Sequence, residues 1–188
     1  MLSNVSLKAA KLRMPVLLGL ALLCSACTSQ RQMNMFDVAP MTTPALETDL
    51  PLAIANAKAL KSQGKRVWCV PFARDASGLD IRGNAGTWWD QAKDKYVRSS
   101  EPVQGAVMAF SSTRKLPMGH VAVVSEVVSD REVLIDHANW SRSKISLGMK
   151  VVDVSAKGDW SAVRVASDGN SLGRVYPIDG FISNNRIE

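Results

Sequence analysis

The chain has 188 residues, 46% hydrophobic and 21% charged, with 12 Gly and 8 Pro, proportions that exclude collagen, a coiled coil and wholesale disorder. That length suits one domain with one continuous core, and three cysteines are too few for a disulfide-built scaffold. The net charge of +6 invites a nucleic-acid reading, which the N-terminus largely withdraws.

Residues 1–13 carry Lys8, Lys11 and Arg13 and no acid, residues 14–23 are almost wholly apolar, and Cys24-Ser25-Ala26-Cys27 follows. A positive region, a short apolar stretch and small residues at a cut site describe an export signal over residues 1–26. Its roughly 10–14 apolar residues would span about 15–20 Å, short of the ~30 Å hydrocarbon core of a bilayer. Residues 23–27 also resemble a bacterial lipobox, although Cys24 stands where Leu is usual. The expectation is a lipid on Cys27, with plain cleavage after Ala26 as the alternative. Thr28 in place of Asp points to the outer membrane, so the expected location is periplasmic and lipid-anchored. Without residues 1–26 the net charge falls to +3, and no run of five or more Lys/Arg remains. Nucleic acid is therefore not an expected partner.

Residues 27–51 are polar and punctuated by Pro40, Pro44 and Pro51, and read as a tether that could reach about 80 Å when extended. The domain is expected over 52–188, where all five Trp fall. Apolar spacing predicts a helix over 52–63, with Asp49 as a cap and Gly64 as a stop. A second helix is expected from Cys69 to Ser77, with Pro71 in its first turn and Gly78 at its end. A third, short helix is expected over 88–95. Strands are expected over 106–110, 120–128, 132–139, 149–154, 162–166 and 174–176. Helices first and antiparallel strands afterwards make an α+β domain.

After export Cys69 is the remaining free thiol, and the chain has two histidines, His120 and His137. A lone Cys is most often an inert buried hydrophobe. Here it stands at an expected helix start, where partial positive charge and free N–H groups favour thiolate and could hold an oxyanion. If Ser129-Asp130 is a two-residue hairpin turn, Val128 pairs with Arg131 and His120 lies opposite Asn139. His137 is then diagonal to His120, and both share one strand face with Ala122, Val124, Ile135 and Asn139. A one-residue slip would undo this arrangement. A helix-start Cys facing His, His and Asn fits nucleophilic chemistry, with imidazole as base and a third polar group to orient it. Cys69, His120 and His137 are also a sensible zinc set with an open fourth position, but no ligand pair has finger-like spacing.

Several ordered segments, 66–74 (Arg-Val-Trp-Cys-Val-Pro-Phe-Ala-Arg), Gly83-Asn84-Ala85, Trp88-Trp89, Gly105-Ala106-Val107, 119–124 and His137-Ala138-Asn139-Trp140, resemble a CHAP domain, the cysteine, histidine-dependent amidohydrolase/peptidase family. The resemblance covers about residues 60–180. It implies a papain-like fold with N-terminal helices packed on an antiparallel sheet, cleavage of amide bonds in peptidoglycan, and no metal or other cofactor. By position it makes Cys69 the nucleophile and His120 the general base. The family often has Glu two residues before Asn-Trp, and here His137 holds that place. A His there can orient His120, but if protonated it would repel the imidazolium formed in the reaction. The orienting role is therefore shared between His137 and Asn139. Trp68 and Trp140 adjoin site residues and are expected to bind substrate, whereas Trp88 and Trp89 are read as core. The departure at His137 keeps a second reading open, an inactive peptidoglycan-binding envelope lipoprotein. A partner that restrains the enzyme is also compatible with the resemblance.

Overall fold

The computed structural model describes residues 45–167 and 171–186; the expected export signal, Cys27 and most of the tether lie outside the described residues. The first helix, α1 (Leu50–Ser62), begins two residues earlier than the apolar spacing predicts. Asp49 explains this, because its side chain accepts a hydrogen bond from Leu52 N–H at 3.0 Å and caps the helix. The Leu46 amide bonds to Gln104 O and the Asp49 amide to Ala76 O, each at 2.8 Å. Residues 46–51, read in sequence as tether, are thus stitched into the folded unit. Helix α2 (Cys69–Ser77) has the expected limits and ends at Gly78, which takes the left-handed conformation at φ 70°. After a 3-10 turn over Ala85–Thr87, α3 (Trp88–Ala92) stops three residues short of the expected end. Lys93 leaves the helical region and Asp94 turns left-handed. Among the described residues no helix is long and apolar enough to cross a membrane.

The strands are β1 (Tyr96–Ser99), β2 (Val107–Phe110), β3 (His120–Ser129), β4 (Glu132–Ala138), β5 (Ile145–Asp153), β6 (Ala162–Ala166) and β7 (Leu172–Arg186). All pairings are antiparallel, in the order β1-β7-β2-β3-β4-β5-β6, and β6 also pairs with β7. That last pairing closes β2 to β7 into a barrel-like ring. Strand β7 can serve both ends because it bends: residues 172–177 pair with β6 and residues 178–182 with β2. Gly180, at φ 142°, sits at the bend, where a Cβ would lie 2.7 Å from the Trp89 ring.

Alternation along the strands separates two cores. Val107, Ala109, Val121, Val123 and Ala138 face outward and pack with Ala53, Ala57, Val67, Phe72, Ala73 and Ala76 of the helical layer. Met108, Phe110, Ala122, Val124, Ile135, Val151, Trp160 and Phe181 fill the barrel. The fold is α+β, helices on an antiparallel sheet.

The β3–β4 hairpin turns at Asp130-Arg131, with Ser129 opposite Glu132, one residue later than expected. Two register shifts along the ladder then restore the expected pairs Val124–Ile135 and Val123–Asp136. The end that carries the histidines therefore has the anticipated register, reached through a different turn.

Candidate active site

Cys69 is the first residue of α2, and Trp68 precedes it in extended conformation with no side-chain cap. The first-turn amides are therefore left to other acceptors. The backbone N–H groups of Val121, Val70 and Cys69 itself face the sulfur. These donors favour thiolate, yet burial has the larger effect and pushes the thiol up from its ordinary value. The helix-start donors act in the expected direction, but burial outweighs them and the net shift is upward.

His120 opens β3 and is 3% exposed. Its place depends on Gly119 (φ 64°), where a Cβ would strike the Gly86 backbone and come within 2.8 Å of Phe110 O. Gly86 N–H bonds to Met118 O at 2.8 Å, which fastens the 3-10 turn to the loop before β3. The Cys69 sulfur lies against the Val121 amide, one residue along the chain from His120, and among the described residues no hydrogen bond joins the thiol to the ring. Contacts of this kind commonly tighten only when substrate binds.

His137, on β4, is fully buried, and its Nδ1 lies 2.9 Å from His120 Nε2. The two rings are nearly perpendicular, with centroids 5.1 Å apart. Burial lowers both: His137 falls to about 4, and His120 drops well below the usual imidazole range through burial and then the charge of His137. Near neutral pH both rings are uncharged, so the repulsion foreseen from a protonated His137 does not arise. One proton is shared across the Nε2–Nδ1 contact, leaving His120 Nδ1 for the thiol.

Asn139 is placed elsewhere. Strand β4 ends at Ala138, and Asn139 turns left-handed at φ 66°, which carries its side chain off the face shared by the histidines. Its Oδ1 accepts from Ser143 N–H at 3.0 Å and from Arg66 Nε at 3.2 Å. The Arg66 guanidinium also stacks 3.9 Å over the Trp68 ring. Asn139 thus anchors Arg66 and Trp68, while His137 meets His120. Arg66 was not anticipated as a site residue, although Arg-x-Trp in an extended segment puts both side chains on one side.

A cleft of about 350 Å³ opens beside the sulfur, lined by Trp68, Cys69, Pro71, Asn84, Met118 and Gly119 among others. Trp68, 48% exposed, stands at this cleft as expected. Trp140 does not line it. Its ring packs on His120 (5.0 Å), His137 (5.7 Å), Phe110 (5.5 Å) and Tyr176 (4.9 Å), so it walls in the histidine pair. Trp88 is buried in the helix-side core and Trp89 packs against it. Among the described residues no three of His, Cys, Asp and Glu converge as metal ligands.

No curated protein matches the chain. The CHAP domain family model matches residues 61–139, a span that includes Cys69, the cleft, His120 and His137. That match is consistent with a CHAP domain protein of the papain-like cysteine/histidine amidohydrolase type.

Proposed function

We propose that the chain is an exported cysteine hydrolase that cuts an amide bond of peptidoglycan, as an amidase or a stem-peptide endopeptidase. CHAP domains are generally hydrolases acting on peptidoglycan. The observation that carries the reading is the His120–His137 contact at 2.9 Å, which orients a neutral base beside a helix-start thiol. His120 takes the Cys69 proton as sulfur attacks the amide carbon. The C–N bond then breaks, the amine leaves with that proton, and the acyl group stays on sulfur. Water, deprotonated by His120, releases the acid and regenerates the thiol. The N–H groups around the sulfur are candidates to hold the oxyanion. A helix-start Cys beside a strand-start His, with helices packed on an antiparallel sheet, supports a papain-like arrangement.

The signal at 1–26 and the Cys27 lipobox support a periplasmic protein held at the outer membrane by lipid, with the following segment as tether. If so, Cys27→Ser moves the protein from the membrane to the soluble periplasmic fraction; an unchanged distribution rejects the anchor. For the activity, Cys69→Ala should abolish release of muropeptide fragments from purified sacculi while the fold persists, and mass spectrometry of the wild-type products identifies the bond. Undiminished release by the variant rejects the mechanism. Wild-type protein that binds sacculi but yields no new termini supports a binding protein instead.

A further inference from the structure

The histidine pair leaves one nitrogen over. With His120 Nε2 and His137 Nδ1 in contact, His137 Nε2 points away from the reaction, fully buried and without a hydrogen-bond partner. Ser146 Oγ is likewise buried and unpartnered. His137 and Ser146 are direct partners across β4 and β5, so their side chains share a face with Cβ atoms about 4.5–5.5 Å apart. The adjacent pair, Ala138 and Ile145, packs in the helix-side core. Alternation therefore turns His137 and Ser146 into the barrel, toward each other's neighbourhood and away from solvent.

We infer that Ser146 is a positioning residue for the base: its hydroxyl accepts a hydrogen bond from His137 Nε2–H, directly after rotation about χ1 or across one internal water. A serine hydroxyl can donate or accept, and the reaction selects between the two. To take the thiol proton, His120 must present a lone pair on Nδ1 and so carry its own proton on Nε2. That N–H donates to His137 Nδ1, which can then only accept, and the His137 proton sits on Nε2. A buried N–H without an acceptor is costly, and the cost grows when His120 becomes imidazolium and polarises the ring behind it. Ser146 Oγ supplies the acceptor. In the opposite tautomer His137 donates to His120, the His120 proton moves to Nδ1, and the ring cannot serve the thiol.

The inference rests on the cysteine-hydrolase reading, and the experiment separates the two. Long-range ¹H–¹⁵N spectra of the wild-type protein should give both His120 and His137 as Nε2–H tautomers. Ser146→Ala should shift His137 toward Nδ1–H and slow alkylation of Cys69 by iodoacetamide at neutral pH about fivefold, the loss of one hydrogen bond. It should lower kcat on sacculi with KM unchanged, and Ser146→Thr should restore tautomer and rate. A wild-type His137 in the Nδ1–H form overturns the inference, as does a Ser146→Ala protein with wild-type tautomers and alkylation rate. Should Ser146→Ala not fold, the wild-type spectrum and Ser146→Thr decide. Sacculi left intact by a protein whose alkylation still depends on Ser146 would reject the peptidoglycan reading and keep this one.

Discussion

Cys69 meets opposing influences where α2 begins. Three backbone N–H groups draw toward thiolate, burial draws harder toward thiol, and His120 beside it is held neutral by its own burial. The resting pair is thus thiol and imidazole, not thiolate and imidazolium. The alkylation rate of Cys69 should accordingly rise only toward alkaline pH, above the ordinary thiol value. An inflection below pH 6 would instead mark a standing ion pair. The histidine that meets His120 was recognisable as a candidate, since the hairpin arithmetic set His137 diagonal to it. What the sequence could not resolve was the choice between His137 and Asn139. That depends on a left-handed residue at 139, a backbone event that period-2 alternation does not foresee.

At the scale of elements, the loop before β3 decides where His120 stands. Gly119 brings that loop against Gly86 and Phe110 O, and left-handed geometry alone disfavours any other residue by about 1–2 kcal/mol. With the steric conflict added, Gly119→Ala should lose about 2–4 kcal/mol of stability, read as a lowered urea midpoint with an unchanged slope. A midpoint within error of wild type would mean the loop yields freely. Helix α2 was legible to the residue because Pro71 and Gly78 punctuate it. Strand β1 was missed because Tyr96–Ser99 is short and half exposed. The full extent of β5 was hidden by Gly148 (φ 62°), a turn signal in sequence that the strand absorbs as an irregularity opposite Ile135 and His137.

For the whole molecule, two uncharged histidines buried together tie stability to pH. An unfolded chain binds their protons near pH 6.5, whereas His137 in the fold waits until about 4. Between those values the unfolded state holds more protons, so stability is full above about pH 6.5 and falls as the solution is acidified toward 4. His137 alone accounts for on the order of 3 kcal/mol. Asp136, pushed up by burial, acts in the opposite sense at the acid end. Denaturation midpoints measured from pH 7 to 4 should decline through that window, and His137→Gln should flatten the decline; a flat wild-type profile would contradict the burial of the pair. The α+β class was visible in the order of elements, but closure of the sheet was not. The expected strand stops at residue 176, before Pro177, and only the pairing of β7 with both β6 and β2 shows that it bends and runs on.

That bend has a temporal side. Strand β7 pairs with β1 and β2 as well as with its near neighbour β6, so its pairing with β2 joins segments about seventy residues apart, the slow kind of contact. Strand β2, which β7 clamps, carries Phe110 against the His120 ring. A chain emerging N-terminus first would expose Cys69 early and complete the wall behind His120 only once β7 has docked on β2.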